Sequence, residues 1–325
     1  MLKNVVWLSG IMGFEQAEEA LERIGQIHLS DSSVWRQAQR WGEQFRALEK
    51  AERLVANAMP REVGRPYWRD KTTRRMGVAM DGSKIHIRGE GWKELKVGCV
   101  FEVEAWPTLD EQTGDMVELG HAVHNSYVAH LGGPELLGEL VWMEAQRRGW
   151  EQAADTEVLG DGAPWVWNQA KTFFYDSHQV VDWYHGTEHL AHAAGLLEGE
   201  GTPGAKRWFR AQETVLFQGH ALRIAQQLEQ AALDREQNVA DGLCKEAEYL
   251  RNNVRRMNYL EVREEGWPIG GGMVESGGKR FKARFTGSGM RWSRAGAERL
   301  IPVRAAIMSR RFDELWTRVY NSPQN

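Results

Sequence analysis

The chain has 325 residues, of which 42% are apolar and 15 are Trp, which is enough for a substantial core. Its formal net charge of −4 excludes a uniformly basic surface of the kind that coats nucleic acid, but not a locally basic channel. The apolar opening at residues 5–14 is shorter than the roughly 20 residues of a membrane span, so no membrane partner is expected.

Two helices joined by a short turn are predicted for the N-terminal region, residues 1–65. Apolar residues recur at helical spacing over residues 14–24 and 34–58, and Ser30 or Ser32 is placed to cap the second helix. This spacing is typical of a DNA-reading helix-turn-helix, in which residues 34–46 would enter a major groove, and also of a plain helical hairpin. The sequence leaves both interpretations open.

A change to strand-like periodicity near residue 76 predicts a sheet within residues 66–186. Residues 76–80, 84–88 and 96–104 are predicted as three strands joined by short glycine-containing turns. The elements predicted after them are a helix at 134–149, a strand at 156–160, a helix at 164–174 and a strand at 179–183. The sequence therefore predicts an α/β fold.

The region from 187 to 265 is predicted to be entirely helical. Apolar residues are spaced near 3.6 over 187–195, 205–233 and 236–261, and no strand pattern interrupts them. The last region, 266–325, begins with two glycine clusters and continues into basic helices. The helical region therefore reads as an insertion between two parts of one α/β core.

Three acidic residues stand at the ends of predicted elements. Asp81 follows the apolar run 76–80, Asp161 follows 158–160, and Glu275 lies between the two glycine clusters. Carboxylates from separate elements can hold two magnesium ions and leave positions open for water and substrate, so the pattern indicates a hard-metal site. Each acid also has a simpler explanation. Asp81 followed by glycine is typical of a hairpin turn, and Asp161 of a turn or helix cap. Glu275 is typical of an acid in a first helical turn, where it complements the helix dipole.

The segments around these acids resemble the three catalytic blocks of DDE transposases from bacterial insertion sequences, of the ISKra-type group related to Mutator-like transposases. They are MDGSKIHIRGEGWKELKVGCVFEVE (80–104), LGDGAPWVWN (159–168) and IGGGMVESGGKRFKARFTGSGMRWS (269–293), in the order of the family. The resemblance covers roughly residues 65–320. It implies a ribonuclease-H-like catalytic domain with a helical insertion, in which Asp81, Asp161 and Glu275 hold two Mg²⁺ or Mn²⁺ ions.

A fourth match follows the next predicted strand. Asp182 and His185 fit the (C/D)xxH signature of transposases that carry a helical insertion. The resemblance implies that this pair supports the active site rather than binding the ions. Because families of this type carry more sequence upstream, it also implies that the reading frame starts before residue 1.

Two basic runs are candidates for DNA contacts, although solvated helix faces explain them equally well. One spans residues 61–75 and the other extends from Lys279 to Arg318. The residues predicted to bind DNA are Lys279, Arg280, Lys282, Arg284 and Arg291. The resemblance implies double-stranded DNA as the partner, both transposon ends and target, and a homo-oligomeric active complex. The two cysteines, Cys99 and Cys244, suit a reducing compartment, so a bacterial cytoplasmic, nucleoid-associated protein is expected.

Two other functions compete with a transposase. A non-catalytic DNA-binding derivative would have a substituted acid, but all three acids are present. His185, Glu188 and His189 spell the H-x-x-E-H motif of inverted zinc peptidases, although Gly186 weakens the helix that must present both histidines. The preferred prediction is metal-dependent DNA strand cleavage and strand transfer.

Overall fold

A computed structural model describes residues 1–58, 73–109, 115–287 and 289–322. Its sheet consists of β1 (Arg75–Ile87), β2 (Gly91–Leu109), β3 (Met116–Leu131), β4 (Asp155–Gly160) and β5 (His178–Val181), in the order β3-β2-β1-β4-β5. Strands β1 to β3 are antiparallel neighbours, whereas β1, β4 and β5 are parallel. The predicted α/β fold is therefore confirmed, with a mixed five-stranded sheet at its centre.

Helices cover both faces of the sheet. The connections between the later strands are α4 (Pro134–Arg147) and α5 (Pro164–Phe173). Val141 of α4 lies over Gly98, while Tyr127 on β3 faces Gly277 in a later helix. Because neighbouring residues of a strand point to opposite faces, and Gly98 pairs with Val128 rather than Tyr127, these two helices lie on opposite sides of the sheet. The central strand β1 is consequently buried on both faces over residues 76–80.

The predicted break at Asp81 and Gly82 is wrong. Strand β1 continues through both residues, with Asp81 paired to Val97 and Gly82 to Lys96. The reversal of the chain comes later, where Gly89 and Gly91 adopt φ values of +80° and +76° that favour glycine. The two segments predicted as separate strands therefore form one, and the third strand of the antiparallel part is β3, which was not predicted.

The insertion is helical throughout, as predicted, but it begins four residues earlier, directly after β5. Its helices are α6 (Trp183–Glu198), α7 (Pro203–Phe217), α8 (Ala221–Ala232), α9 (Gln237–Asn253) and α10 (Tyr259–Glu264). The chain then returns to the sheet with α11 (Gly272–Phe285), α12 (Arg294–Met308) and α13 (Phe312–Tyr320). No helix in the described ranges is both long and apolar enough to cross a lipid bilayer.

The N-terminal helices pack against the C-terminal ones. They are α1 (Leu2–Ile11), α2 (Phe14–Gly25) and α3 (Asp31–Ala58). Trp41 of α3 packs on Trp316 with ring centroids 4.6 Å apart, and a methyl group on Gly42 would lie 2.4 Å from the carbonyl oxygen of Arg299. The segment that a helix-turn-helix would place in a major groove therefore buries one face in the core. A groove-binding helix buries its opposite face in the same way, so the packing is compatible with both interpretations.

Candidate metal centre

The two aspartates lie side by side at one edge of the sheet. Met80 on β1 pairs with Gly160 on the parallel strand β4, and Asp81 and Asp161 are the next residues of each chain segment. Since neighbouring strands are about 4.8 Å apart, the two side chains leave adjacent backbone positions on the same face. Local hydrogen bonds orient them: the N–H of Gly82 donates to Asp81 Oδ1 at 2.6 Å, and that of Ala163 to Asp161 Oδ1 at 2.9 Å.

Two glycines bring Glu275 to the same place. Glu275 lies in the first turn of α11, which packs against β1. One turn later, a methyl group on Gly278 would lie 3.8 Å from Asp81 Oδ2, and one on Gly277 would lie 2.5 Å from the ring of Tyr127. Residues three apart share a helix face, so Glu275 and Gly278 both face Asp81. The absence of side chains at 277 and 278 therefore lets the helix approach the sheet.

All three acids line one small cavity of about 50 Å³. Four other titratable residues share its lining, namely Asp182, Tyr184, His185 and Glu188. In the present conformation Glu275 Oε1 lies 3.0 Å from Lys279 Nζ, and within the described part of the chain no cluster of three metal-ligating side chains is compact enough to hold an ion. An exposed pair at this helical spacing is worth only about 0.3–0.5 kcal/mol, so turning Glu275 toward the aspartates costs little.

The electrostatics of the cavity couple these acids. Burial is the main cause that raises the pKa of Asp81. The carboxylates of Asp161 and Glu275 raise this pKa further, whereas the Gly82 N–H and the His185 imidazole lower it. Concentrated negative charge of this kind is unfavourable without a counter-charge and would be relieved by bound cations.

Asp182 connects the start of α6, the start of α11 and the end of β4. It caps α6 by accepting hydrogen bonds from Tyr184 N at 2.7 Å and His185 N at 3.3 Å. Its second oxygen accepts from the N–H of Gly271, the residue before α11. Its own N–H donates to the Gly160 carbonyl at 2.8 Å. The buried residue therefore fixes the start of the helix that carries Glu275 relative to the strand that ends before Asp161.

The three residues of the zinc-peptidase motif have different surroundings. The Nδ1 of His185 lies 3.3 Å from Glu188 Oε2, and both side chains line the cavity of the carboxylates. The Nδ1 of His189 instead contacts the buried Glu246, which also binds His192 Nδ1 at 2.6 Å. His189 is thus engaged with the helical insertion, an arrangement that does not favour a zinc site shared with His185.

Tyr249 of α9 also contacts the site, since its hydroxyl donates a 2.8 Å hydrogen bond to the backbone carbonyl of Asp161. Burial is the main cause that raises the pKa of this phenol, so it remains a donor at neutral pH. In the sequence Tyr249 resembles any aromatic residue of an amphipathic helix, so no local pattern could have identified it.

The basic residues predicted to bind DNA divide into two groups. Lys279, Arg280, Lys282 and Arg291 are exposed. Arg284 is buried: its Nε donates to the Ser9 carbonyl at 2.7 Å, and its guanidinium packs between aromatic rings. Its prediction as a phosphate contact does not fit this position, because the charge is held inside the core.

Much of the remaining C-terminal basic run is also engaged internally. Arg304 is buried and donates to the carbonyls of Gly10 and Arg280. Others form ion pairs with acidic residues of distant elements: Arg294 with Glu90, Arg299 with Glu43, Arg311 with Glu144 and Arg318 with Glu52. This part of the run connects the terminal helices to the rest of the protein. Most of the other basic run, at 61–72, lies outside the described residues.

A scan against protein-family models finds no match, and a search of curated proteins finds no similar sequence.

Proposed function

We propose that the chain is a DDE transposase with a ribonuclease-H-like catalytic core that carries out metal-dependent cleavage and strand transfer of DNA. The observation that supports this most is the meeting of Asp81, Asp161 and Glu275 at one cavity, because the two aspartates directly follow the last paired residues of parallel strands and Glu275 lies at a helix start. The succession of an antiparallel three-stranded unit, a helix, a strand, a helix and a strand is also the one that the resemblance implies.

The donor set fits hard divalent cations. The cavity offers carboxylate oxygens from separate elements, which is the ligand type that Mg²⁺ and Mn²⁺ prefer. Asp81, Asp161 and Glu275 would hold the ions. When bound, the ions supply charge stabilisation to the reacting phosphodiester and lower the pKa of the attacking water or hydroxyl. Asp182 would hold the start of α11 in place relative to the end of β4. His185 would favour the ionised form of Asp81, because it lowers the pKa of that carboxyl.

The exposed face of α11 would guide DNA to this site. Glu275, Lys279 and Lys282 are spaced by four and three residues, so they lie along one side of the helix. The two lysines therefore extend outward from the position of the acid, where phosphates on either side of a scissile bond would pass. Arg280 and Arg291 are exposed nearby in sequence and would add charge to the same surface.

Neutralising Lys282 should weaken DNA binding mainly through lost counterion release. For Lys282→Gln we expect the slope of log K against log salt to decrease by about one for duplex DNA. Binding measured by fluorescence anisotropy between low and moderate salt tests this. Lys171→Gln is the matched control, because Lys171 lies in the last turn of α5, toward the sheet edge opposite Asp161, and should leave the slope unchanged. An unaltered slope in Lys282→Gln would remove this residue from the proposed DNA path.

The function itself is tested by nicking of DNA that carries the sequences flanking the coding region. We expect cleavage with Mg²⁺ or Mn²⁺, none after chelation, and no requirement for zinc. DNA binding without cleavage under all metal conditions would indicate the non-catalytic derivative. Stoichiometric bound zinc together with peptide hydrolysis would instead indicate the peptidase.

A further inference from the structure

The helical insertion contacts the loop that follows β4 through a pair of side chains on α9. Tyr249 donates from its hydroxyl to the Asp161 carbonyl at 2.8 Å. One turn later Asn253 donates to the carbonyl of Gly162 at 3.3 Å, and its own oxygen accepts from Trp167 Nε1 at 2.8 Å. Two consecutive carbonyls of the loop are therefore bound by residues spaced four apart on one helix face.

The backbone of this loop is shaped for that contact. Gly162 has a φ of +91°, and a methyl group there would lie 2.5 Å from the hydroxyl oxygen of Tyr249. Glycine is therefore required both by the conformation and by the close approach of the phenol. Asn253 is buried, so its hydrogen bonds are made away from competing water.

Side chains of α6 and α9 restrain the ring of Tyr249. The imidazole of His189 on α6 stacks on the phenol ring with centroids 3.4 Å apart. Its Nδ1 is bound by Glu246, a buried carboxylate one turn before Tyr249 on α9. The ring of Tyr249 is consequently restrained by two helices of the insertion, and its hydroxyl has little freedom to leave the Asp161 carbonyl.

We propose that Tyr249 is a positioning residue, through which the helical insertion fixes the backbone of Asp161 and so sets the affinity of the carboxylate site for divalent cations. The inference rests on the proposed function, because it takes Asp161 as a ligand. It assigns the insertion a role in the metal centre, in which α9 holds the backbone of the ligand Asp161 and does not bind the ion.

The test is a titration of the full chain with Mn²⁺ alone, followed by the electron paramagnetic resonance signal of the free ion. In Tyr249→Phe the ring and its stacking remain and only the hydroxyl is lost. We expect the Mn²⁺ concentration for half occupancy to rise about tenfold, as for other groups that orient metal ligands. Tyr259→Phe is the matched control, since Tyr259 is a buried insertion tyrosine whose hydroxyl has no hydrogen-bond partner among the described residues. Its affinity should match that of the wild type.

The outcomes separate the inference from the function on which it rests. If wild-type protein binds Mn²⁺, Asp161→Asn loses the binding and Tyr249→Phe binds as tightly as wild type, the positioning role is overturned and the metal site stands. A lower unfolding temperature in Tyr249→Phe with unchanged Mn²⁺ affinity also overturns it, because a purely structural role predicts that result. If wild type shows no saturable Mn²⁺ binding, the proposed metal site and this inference are both rejected.

Discussion

Asp81→Asn, Asp161→Asn and Glu275→Gln should each reduce DNA cleavage by about a thousandfold or more, equivalent to about 4 kcal/mol of transition-state stabilisation. Each change removes a charge from the site and keeps the shape of the side chain. Single-turnover nicking in Mg²⁺ measures the loss. Affinity for the same DNA in the absence of metal should stay within about twofold, because the exposed lysines of α11 are untouched.

Asp155→Asn is the matched control for these substitutions. Asp155 lies at the start of the strand that ends before Asp161, and its side chain contacts His178 at 3.1 Å. It is therefore an acid on the same strand at the opposite edge of the sheet. We expect wild-type cleavage from this variant. Full activity in any of the three site variants would exclude that residue from the metal centre.

Substitution of Asp182 should have the second largest effect on DNA cleavage. Two different substitutions separate the contribution of its contact with α6 from that of its contact with Gly271. An ionised aspartate accepts at both oxygens, whereas asparagine keeps one acceptor. Asp182→Asn should therefore retain the cap of α6 and lose the bond to Gly271 N. Because α11 carries Glu275, we expect cleavage to fall about a hundredfold, as for other displacements of about 1 Å at an active site. Asp182→Ala should lower the free energy of unfolding by about 1 kcal/mol more than Asp182→Asn does, because it also removes the cap of α6.

Thr202→Ala provides the control for capping alone. The Thr202 hydroxyl accepts from Ala205 N at 3.1 Å at the start of α7 and lies outside the carboxylate cavity. Its removal should lower the free energy of unfolding by about 1 kcal/mol and leave cleavage unchanged. Urea unfolding and nicking, measured on the same preparations, give both quantities. Cleavage by Asp182→Asn at the wild-type rate would show that the bond to Gly271 does not position Glu275.

The location of the acids could be predicted because short-range patterns determine it. The apolar runs before Asp81 and Asp161 identify buried strand segments, and the residue that follows such a run lies where the buried part of the strand stops. The glycines before and after Glu275 similarly indicate close packing of a helix. These features depend on residues near each other in sequence, so they were available before the structure.

The missed features depend on contacts across the fold. Strand β3 at the edge of the sheet is half-exposed, and its histidines and Gly120 interrupt the apolar alternation that identifies strands. Asp81 and Gly82 look like a hairpin turn until Val97 and Lys96 are seen to pair with them. Arg284 looked like a phosphate contact because charge alone does not reveal that Ser9 O lies opposite its guanidinium.

The proposed metal centre is tested most directly by the anomalous scattering of Mn²⁺ in crystals of the protein grown or soaked with that ion. We expect two manganese peaks between the carboxylates of Asp81, Asp161 and Glu275, with Glu275 turned away from Lys279. Absence of any peak at this position at saturating Mn²⁺, or a zinc ion held by His185 and His189, would contradict it.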